Sequence, residues 1–164
     1  MLKFLLGVGI VAFTSFCGYL FARKYRQRND FFSQFKEFNE RFLSEISYYR
    51  RPIREFMGAY SYRGEFQEFL QAYNMQIEEQ GYKEGGFMDM EEYSFLTNEE
   101  KRMIKDYFLM LGRGDSSSQK SYFSSVKIGI DKLQVEAEIQ RKRYGDLYIK
   151  LGFLCGLFIL ILII

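Results

Sequence analysis

Asp89, Glu91 and Glu92 stand together in Met88-Asp89-Met90-Glu91-Glu92, and carboxylates so spaced are this chain's nearest approach to a divalent-cation or acid–base site. The same pattern has a structural reading, acidic residues favoured by the dipole at a helix N-terminus, and that reading is preferred. Gly112-Arg113-Gly114-Asp115-Ser116 has the glycines of a phosphate-cradling loop but not the closing Gly-Lys-Ser/Thr that would hold the phosphates. A helix that stops at glycine and another that starts at a polar cap account for it without a ligand. Ser116 to Ser118 could offer a nucleophile only with a base beside them, and the chain contains no histidine, the commonest one. The absence of His also removes the commonest transition-metal ligand. The two cysteines, Cys17 and Cys155, lie in apolar runs at opposite ends, where neither builds a zinc site or a disulfide framework. The expectation is a protein that is not an enzyme, with no catalytic residues, no cofactor and no metal.

The elements that position these residues are uneven in polarity. The 164 residues suffice for one domain. Both ends are nearly free of charge, and the middle carries almost all of it. Phe4 to Ala22 is 19 residues without a charge, about 28 Å as a helix, which matches the hydrocarbon core of a bilayer. Its neighbour Lys3 can snorkel. The run is long for a cleaved signal peptide, and no small-x-small site follows it. Arg23, Lys24, Arg26 and Arg28 come next with no acid among them, placing that flank in the cytoplasm. At the other end, Tyr148 to Ile164 leaves only 14 residues after Lys150, about 21 Å, which is short for a full span. Arg141, Lys142 and Arg143 precede it, so both basic flanks give one orientation. The expected organisation is a transmembrane helix over 1–22, a cytoplasmic helical bundle over 23–147 and a hydrophobic or transmembrane segment over 148–164. Tyr19, Tyr25 and Tyr148 read as interfacial aromatics. A net charge of +2 argues neither for nor against nucleic acid, but no basic stripe interleaved with aromatics stands out, and no nucleic-acid partner is expected.

The middle has helical periodicity and no alternating strand pattern. Asn29-Asp30 suits an N-cap, followed by Phe31, Phe35, Phe38, Phe42, Ile46 and Tyr49 on one face. Pro52 ends or kinks that helix, and Ile53 to Tyr60 reads as a short one. Gly64 opens the next, with Phe66, Phe69, Leu70, Tyr73 and Ile77 inward, and Gly81 closes it. Phe87 to Phe95 is ambiguous. Thr97-Asn98-Glu99-Glu100 is a capping box, leading to Met103, Ile104, Tyr107, Phe108 and Leu111, with Gly112 as the stop. From Ser116, with Gln119 three residues on, one helix can run to the end of the chain along Tyr122, Val126, Ile130, Leu133, Ala137, Tyr144, Tyr148 and Leu151, and Gly145 is the point at which it can bend. The fold class is all-α: an antiparallel helical bundle of about five or six helices between two hydrophobic end segments.

This layout resembles the stage III sporulation protein AB family. Glu45-Ile46-Ser47-Tyr48 followed by Pro52-Ile53 is similar to that family's Glu-Ile-x-Tyr and Pro pattern. Leu111-Gly112, Asp115 and Gln119 are similar to its Leu-Gly-x-x-Asp-x-x-x-Gln turn. The resemblance covers essentially the whole chain. It implies a helical domain like the cytoplasmic domain of type II secretion and type IV pilus platform proteins, which engage a cytoplasmic secretion ATPase. It further implies a place in the sporulation channel between mother cell and forespore, with the ATPase and other membrane components of the channel as partners. The docking surfaces expected are the Pro52 turn and Arg113 to Ser118. The competing expectation is a membrane-tethered signalling or ligand-sensing domain, and a third is a small membrane hydrolase using the acidic cluster.

Overall fold

A computed structural model describes residues 2–49, 53–80, 89–111 and 116–163, and among these there is no strand. The helices are α1 (Leu2–Ser44), α2 (Ile53–Ala59), α3 (Gly64–Gln80), α4 (Asn98–Met110), α5 (Ser116–Gln140) and α6 (Asp146–Ile163). Two π-helical turns, Glu45–Tyr49 and Arg141–Gly145, follow α1 and α5. Helical backbone therefore continues from Ser116 to Ile163, as the long apolar stripe implies, and the expected weak point at Gly145 is the last residue of a widened turn. Among the described residues one helix, Ser117–Leu162, is long and apolar enough to cross a membrane. The chain divides into two compact units: unit 1 is Met1–Asn29 with Glu136–Ile164, and unit 2 is Asp30–Val135.

Asn29-Asp30 does not cap a helix; both residues lie inside α1. The physical reason is local. No glycine or proline occurs between Gly18 and Pro52, so nothing in that stretch interrupts the hydrogen-bond ladder. Pro52, Gly81, Gly112 and Asp115 fall outside the described residues.

Unit 2 is built on aromatic rings. Phe31, Phe35, Phe38 and Phe42 of α1 are all buried, as the spacing predicts. They meet Phe66 and Phe69 of α3, Tyr107 and Phe108 of α4, and Phe123 of α5. Edge-on pairs recur: Phe35 with Tyr107 at 4.8 Å and 82°, Phe42 with Phe123 at 4.8 Å and 90°, and Phe69 with Phe108 at 4.8 Å and 69°. Each such pair contributes about 0.5–1.5 kcal/mol beyond its buried area. Phe123 is the buried residue at that level of α5, whereas the neighbouring Tyr122 of the expected stripe is only half-buried. Met90, Tyr93, Phe95 and Leu96 are buried too, from turns and not from a helix: Tyr93 N–H donates to the Met90 carbonyl (3.2 Å), and Leu96 N–H donates to that of Tyr93 (3.1 Å). Two polar ties cross this core. Tyr107 Oη donates to Asn39 Oδ1 (2.9 Å), and Tyr73 Oη donates to the Phe108 carbonyl (2.9 Å).

Burial sets the behaviour of these phenols. It pushes the Tyr62 and Tyr93 hydroxyls up to about 12 and Tyr107 well above its ordinary value. Because the folded-state value is the higher one, the stabilisation is complete below about pH 10, where the unfolded tyrosine ionises, and drains away as the pH climbs from about 10 towards about 12. Alkaline titration of the full chain should show phenolate absorbance at 295 nm rising together with loss of helical circular dichroism. Exposed tyrosines such as Tyr48 ionise first with helicity unchanged, and phenolate absorbance reaching the full complement of thirteen tyrosines near pH 10 without loss of helicity would contradict this burial.

Two helix starts are specified locally. Gly64 has φ +59°, a left-handed value that any side chain would strain, although a Cβ there would meet nothing within 4 Å. Just before it, Tyr62 N–H donates to Gln67 Oε1 (2.7 Å) and Arg63 N–H to Gln34 Oε1 (3.1 Å). At α4 the capping box forms in full. Thr97 Oγ1 accepts from Glu100 N–H (3.3 Å), and Thr97 N–H donates to Glu100 Oε2 (2.8 Å). Thr97→Ala should cost about 1 kcal/mol, read as a lowered midpoint of thermal unfolding. An unchanged midpoint would show that the cap contributes nothing net.

Unit 1 pairs the first part of α1 with α6 in antiparallel register, along a seam of small residues. A Cβ on Gly18 would lie 2.5 Å from the Tyr148 carbonyl oxygen, and one on Gly152 would lie 2.6 Å from that of Thr14 and 3.1 Å from Gly18 Cα. Gly156 faces Val11 and Thr14, and Gly7 faces Leu160. Ala22 continues the seam, fully buried. Glycines four apart (Gly152 and Gly156) let two backbones approach this closely. The outer faces are the reverse, with Phe13, Phe16, Leu20, Phe21, Leu154, Phe158, Ile161 and Leu162 all exposed.

Candidate functional site

The acidic cluster lies on exposed turns ahead of α4. Asp89, Glu91 and Glu92 are exposed, and Asp89 Oδ1 accepts from Glu91 N–H at 2.9 Å, so this carboxylate stabilises its own turn. Among the described residues no group of three or more Asp, Glu, Cys or His is placed to hold a metal. Cys17 and Cys155 are free thiols in unit 1.

The residues that carried the family pattern have divided roles. Glu45 is 2 % exposed, Ile46 is half-buried and Tyr48 is 82 % exposed. The core stripe therefore passes through Glu45 where the spacing favoured Ile46. Steps of 31, 35, 38, 42 and 45 fit a 3.6-residue turn as well as steps ending at 46, and in the π turn the pattern resolves to the carboxylate. Leu111 is buried and Gln119 half-buried on the first turn of α5. Pro52, Gly112 and Asp115 lie outside the described residues, as do the expected docking loops at Pro52 and at 113–115. What the π turn does expose is a shallow cleft of about 300 Å³ lined by Glu40, Leu43, Ser44, Ser47, Tyr48 and Lys127. Lys127 Nζ pairs with Glu40 Oε1 at 3.2 Å across its floor. A second opening of about 300 Å³, lined by Asp30, Ser33, Gln34, Arg63 and Gly64, is part of the α1–α3 tie described above. An exposed tyrosine beside an ion pair is suited to protein contact, since its ring offers area at low entropic cost.

The basic flanks come together in unit 1. Arg23, Lys24 and Arg26 are exposed on α1, Lys142 and Arg143 on the second π turn, and Arg141 is half-buried. Arg28 is buried, and its Nη1 donates to Gln140 Oε1 at 3.1 Å. Lys142 pairs with Glu138 at 2.7 Å. Between the two flanks stand stacked rings: Tyr25 on Tyr144 (5.4 Å) and on Tyr148 (5.9 Å), and Phe21 near Tyr148 (5.9 Å). The glycine seam and this ring stack escaped the sequence reading, although Gly152-x-x-x-Gly156 inside an apolar run was a readable signal.

No curated protein and no solved structure matches the chain. The profile of one family does match, over residues 3–164. It spans the apolar ends, both π turns and the aromatic core, and so covers nearly every feature described above. The chain belongs to the stage III sporulation protein AB family.

Proposed function

We propose that this chain is a non-enzymatic, membrane-anchored component of the sporulation channel between mother cell and forespore, with unit 2 in the mother-cell cytoplasm as a docking module for a secretion-type ATPase. The observation that carries the membrane part is the inverted polarity of unit 1: a seam of glycines inside and large apolar side chains outside. Only 11 % of the most apolar window of the spanning helix is buried, unlike the core helix of a water-soluble domain. Basic residues on the same side of both apolar segments favour that side in the cytoplasm. Membership in the sporulation family supports the biological setting.

Docking falls to the face that carries Tyr48, Glu40 and Lys127, an exposed ring beside a charged pair. Co-purification from sporulating membranes tests this reading. The ATPase should accompany the full chain and be lost with Tyr48→Ala, while membrane retention is unchanged. The triple variant Asp89→Ala, Glu91→Ala and Glu92→Ala should sporulate normally. Loss of sporulation by a normally folded triple variant would revive a hydrolase instead.

A further inference from the structure

The charges of this chain are sorted by unit. Unit 1 holds nine Lys and Arg against three Asp and Glu, and unit 2 holds fourteen against eighteen, a net of +6 against −4. The cations of unit 1 are also sorted by height. Arg23, Lys24 and Arg26 lie within about one turn on α1, and Lys142, Arg143 and Lys150 within about 12 Å on the facing arm. All six are exposed. Rings hold two of them in place, with the Arg26 guanidinium 5.8 Å over Tyr19 and that of Arg143 5.4 Å over Tyr144. The Tyr25, Tyr144 and Tyr148 stack binds the two arms together at this same level, and the Arg28–Gln140 hydrogen bond lies just beyond it.

We propose that this collar is a binding site for the phosphate headgroups of anionic phospholipids in the leaflet it faces. The inference rests on the membrane reading of unit 1 and goes beyond orientation. The occupant follows from position. The collar directly adjoins the exposed apolar faces of α1 and α6, and what lies beside acyl chains at the level of stacked tyrosines is the headgroup layer. Arginine and lysine at that height attract anionic headgroups and lose that attraction as salt is added. Glu138 neutralises Lys142 in part and Asp146 is the other exposed acid nearby, so the surplus of positive charge remains large.

The test uses the full chain reconstituted in phosphatidylcholine bilayers with spin-labelled phosphatidylglycerol or phosphatidylcholine as the probe. The motionally restricted shell should prefer phosphatidylglycerol at least about threefold, and added sodium chloride should erase the preference. Inorganic phosphate should erase it no better than chloride at equal ionic strength, which assigns the site to a lipid surface and not to a free anion. The variant Arg23→Gln, Lys24→Gln, Lys142→Gln and Arg143→Gln should bring the preference close to one. Lys101→Gln, Arg102→Gln, Lys105→Gln and Lys120→Gln, with the same charge change in unit 2, should leave it intact. Equal association of the two lipids with the unaltered chain overturns the collar, as does a preference that survives in the first variant. If that variant does not insert, the salt series on the unaltered chain decides. A chain that joins no bilayer at all overturns the membrane reading itself and the collar with it.

Discussion

Replacing Gly152 with leucine should force the two apolar arms of unit 1 apart. The new Cβ would sit 2.6 Å from the Thr14 carbonyl oxygen and 3.1 Å from Gly18 Cα, where ordinary contact is 3.4–4 Å. Both obstacles are backbone atoms and cannot rotate aside. The arms must shift by about 1 Å, and strain of this kind costs about 1–3 kcal/mol before the remainder of the leucine is accommodated. On the proposed membrane reading nothing offsets it, because a bilayer gives no hydrophobic drive for two helices to pair and close packing supplies most of the attraction. The chain contains its own reporters: its two cysteines, Cys17 and Cys155, lie one on each arm. Spin labels on them should give a longer or broader distance distribution in Gly152→Leu than in the unaltered chain. Gly9→Leu, where a Cβ meets nothing within 4 Å, should leave the distribution as it was. An unchanged distribution in Gly152→Leu would show that the glycine seam does not hold the arms.

Phe108→Ala should be the most damaging single change in unit 2. The ring lies within 6.0 Å of Phe35, Phe38, Phe69, Tyr73 and Tyr107, so three helices lose a shared partner at once. Truncating a buried phenylalanine costs about 3–5 kcal/mol, a large share of the roughly 5–15 kcal/mol that holds a domain folded. Phe108→Leu retains more of the volume but loses the ring pairs, and should cost less than the alanine variant. Hydrogen exchange of amides in α3 and α4 reads the difference, with protection falling sharply in the alanine variant and less in the leucine one. A loss no greater than that of Thr97→Ala would mean that the neighbouring rings close the cavity.

Much of unit 2 was legible because its signals are local or periodic. Thr97 and Glu100 are three residues apart, and the box they form needs only backbone near at hand. Phe31, Phe35, Phe38 and Phe42 declare their face by spacing, as do Phe66, Phe69 and Tyr73, and Ile104, Tyr107 and Phe108. The apolar ends and their basic flanks were equally plain, and so was the family, whose pattern is distributed along the chain.

Other features depend on residues far apart in sequence. Asn29-Asp30 has the composition of a cap, yet the helix continues because nothing nearby breaks it. Glu45 or Ile46 could each continue the core face by spacing, and the π turn decides which is buried. Phe123 outranks Tyr122 because Phe42 and Tyr107 stand where its ring edge arrives, at 4.8 and 4.7 Å. Asn39 carried no pattern at all and is recognisable only beside Tyr107, 68 residues away. By itself, then, the sequence determined the helical class, the apolar ends, the helix starts at Gly64 and Thr97 and the family, since each depends on signals within a turn or two or on a pattern repeated along the chain. Tertiary structure alone decided that Gly18 faces Gly152, that the two basic flanks form one collar and that Tyr48 is left outside. Those are contacts between surfaces, and a surface has no partner until the chain has brought one to it.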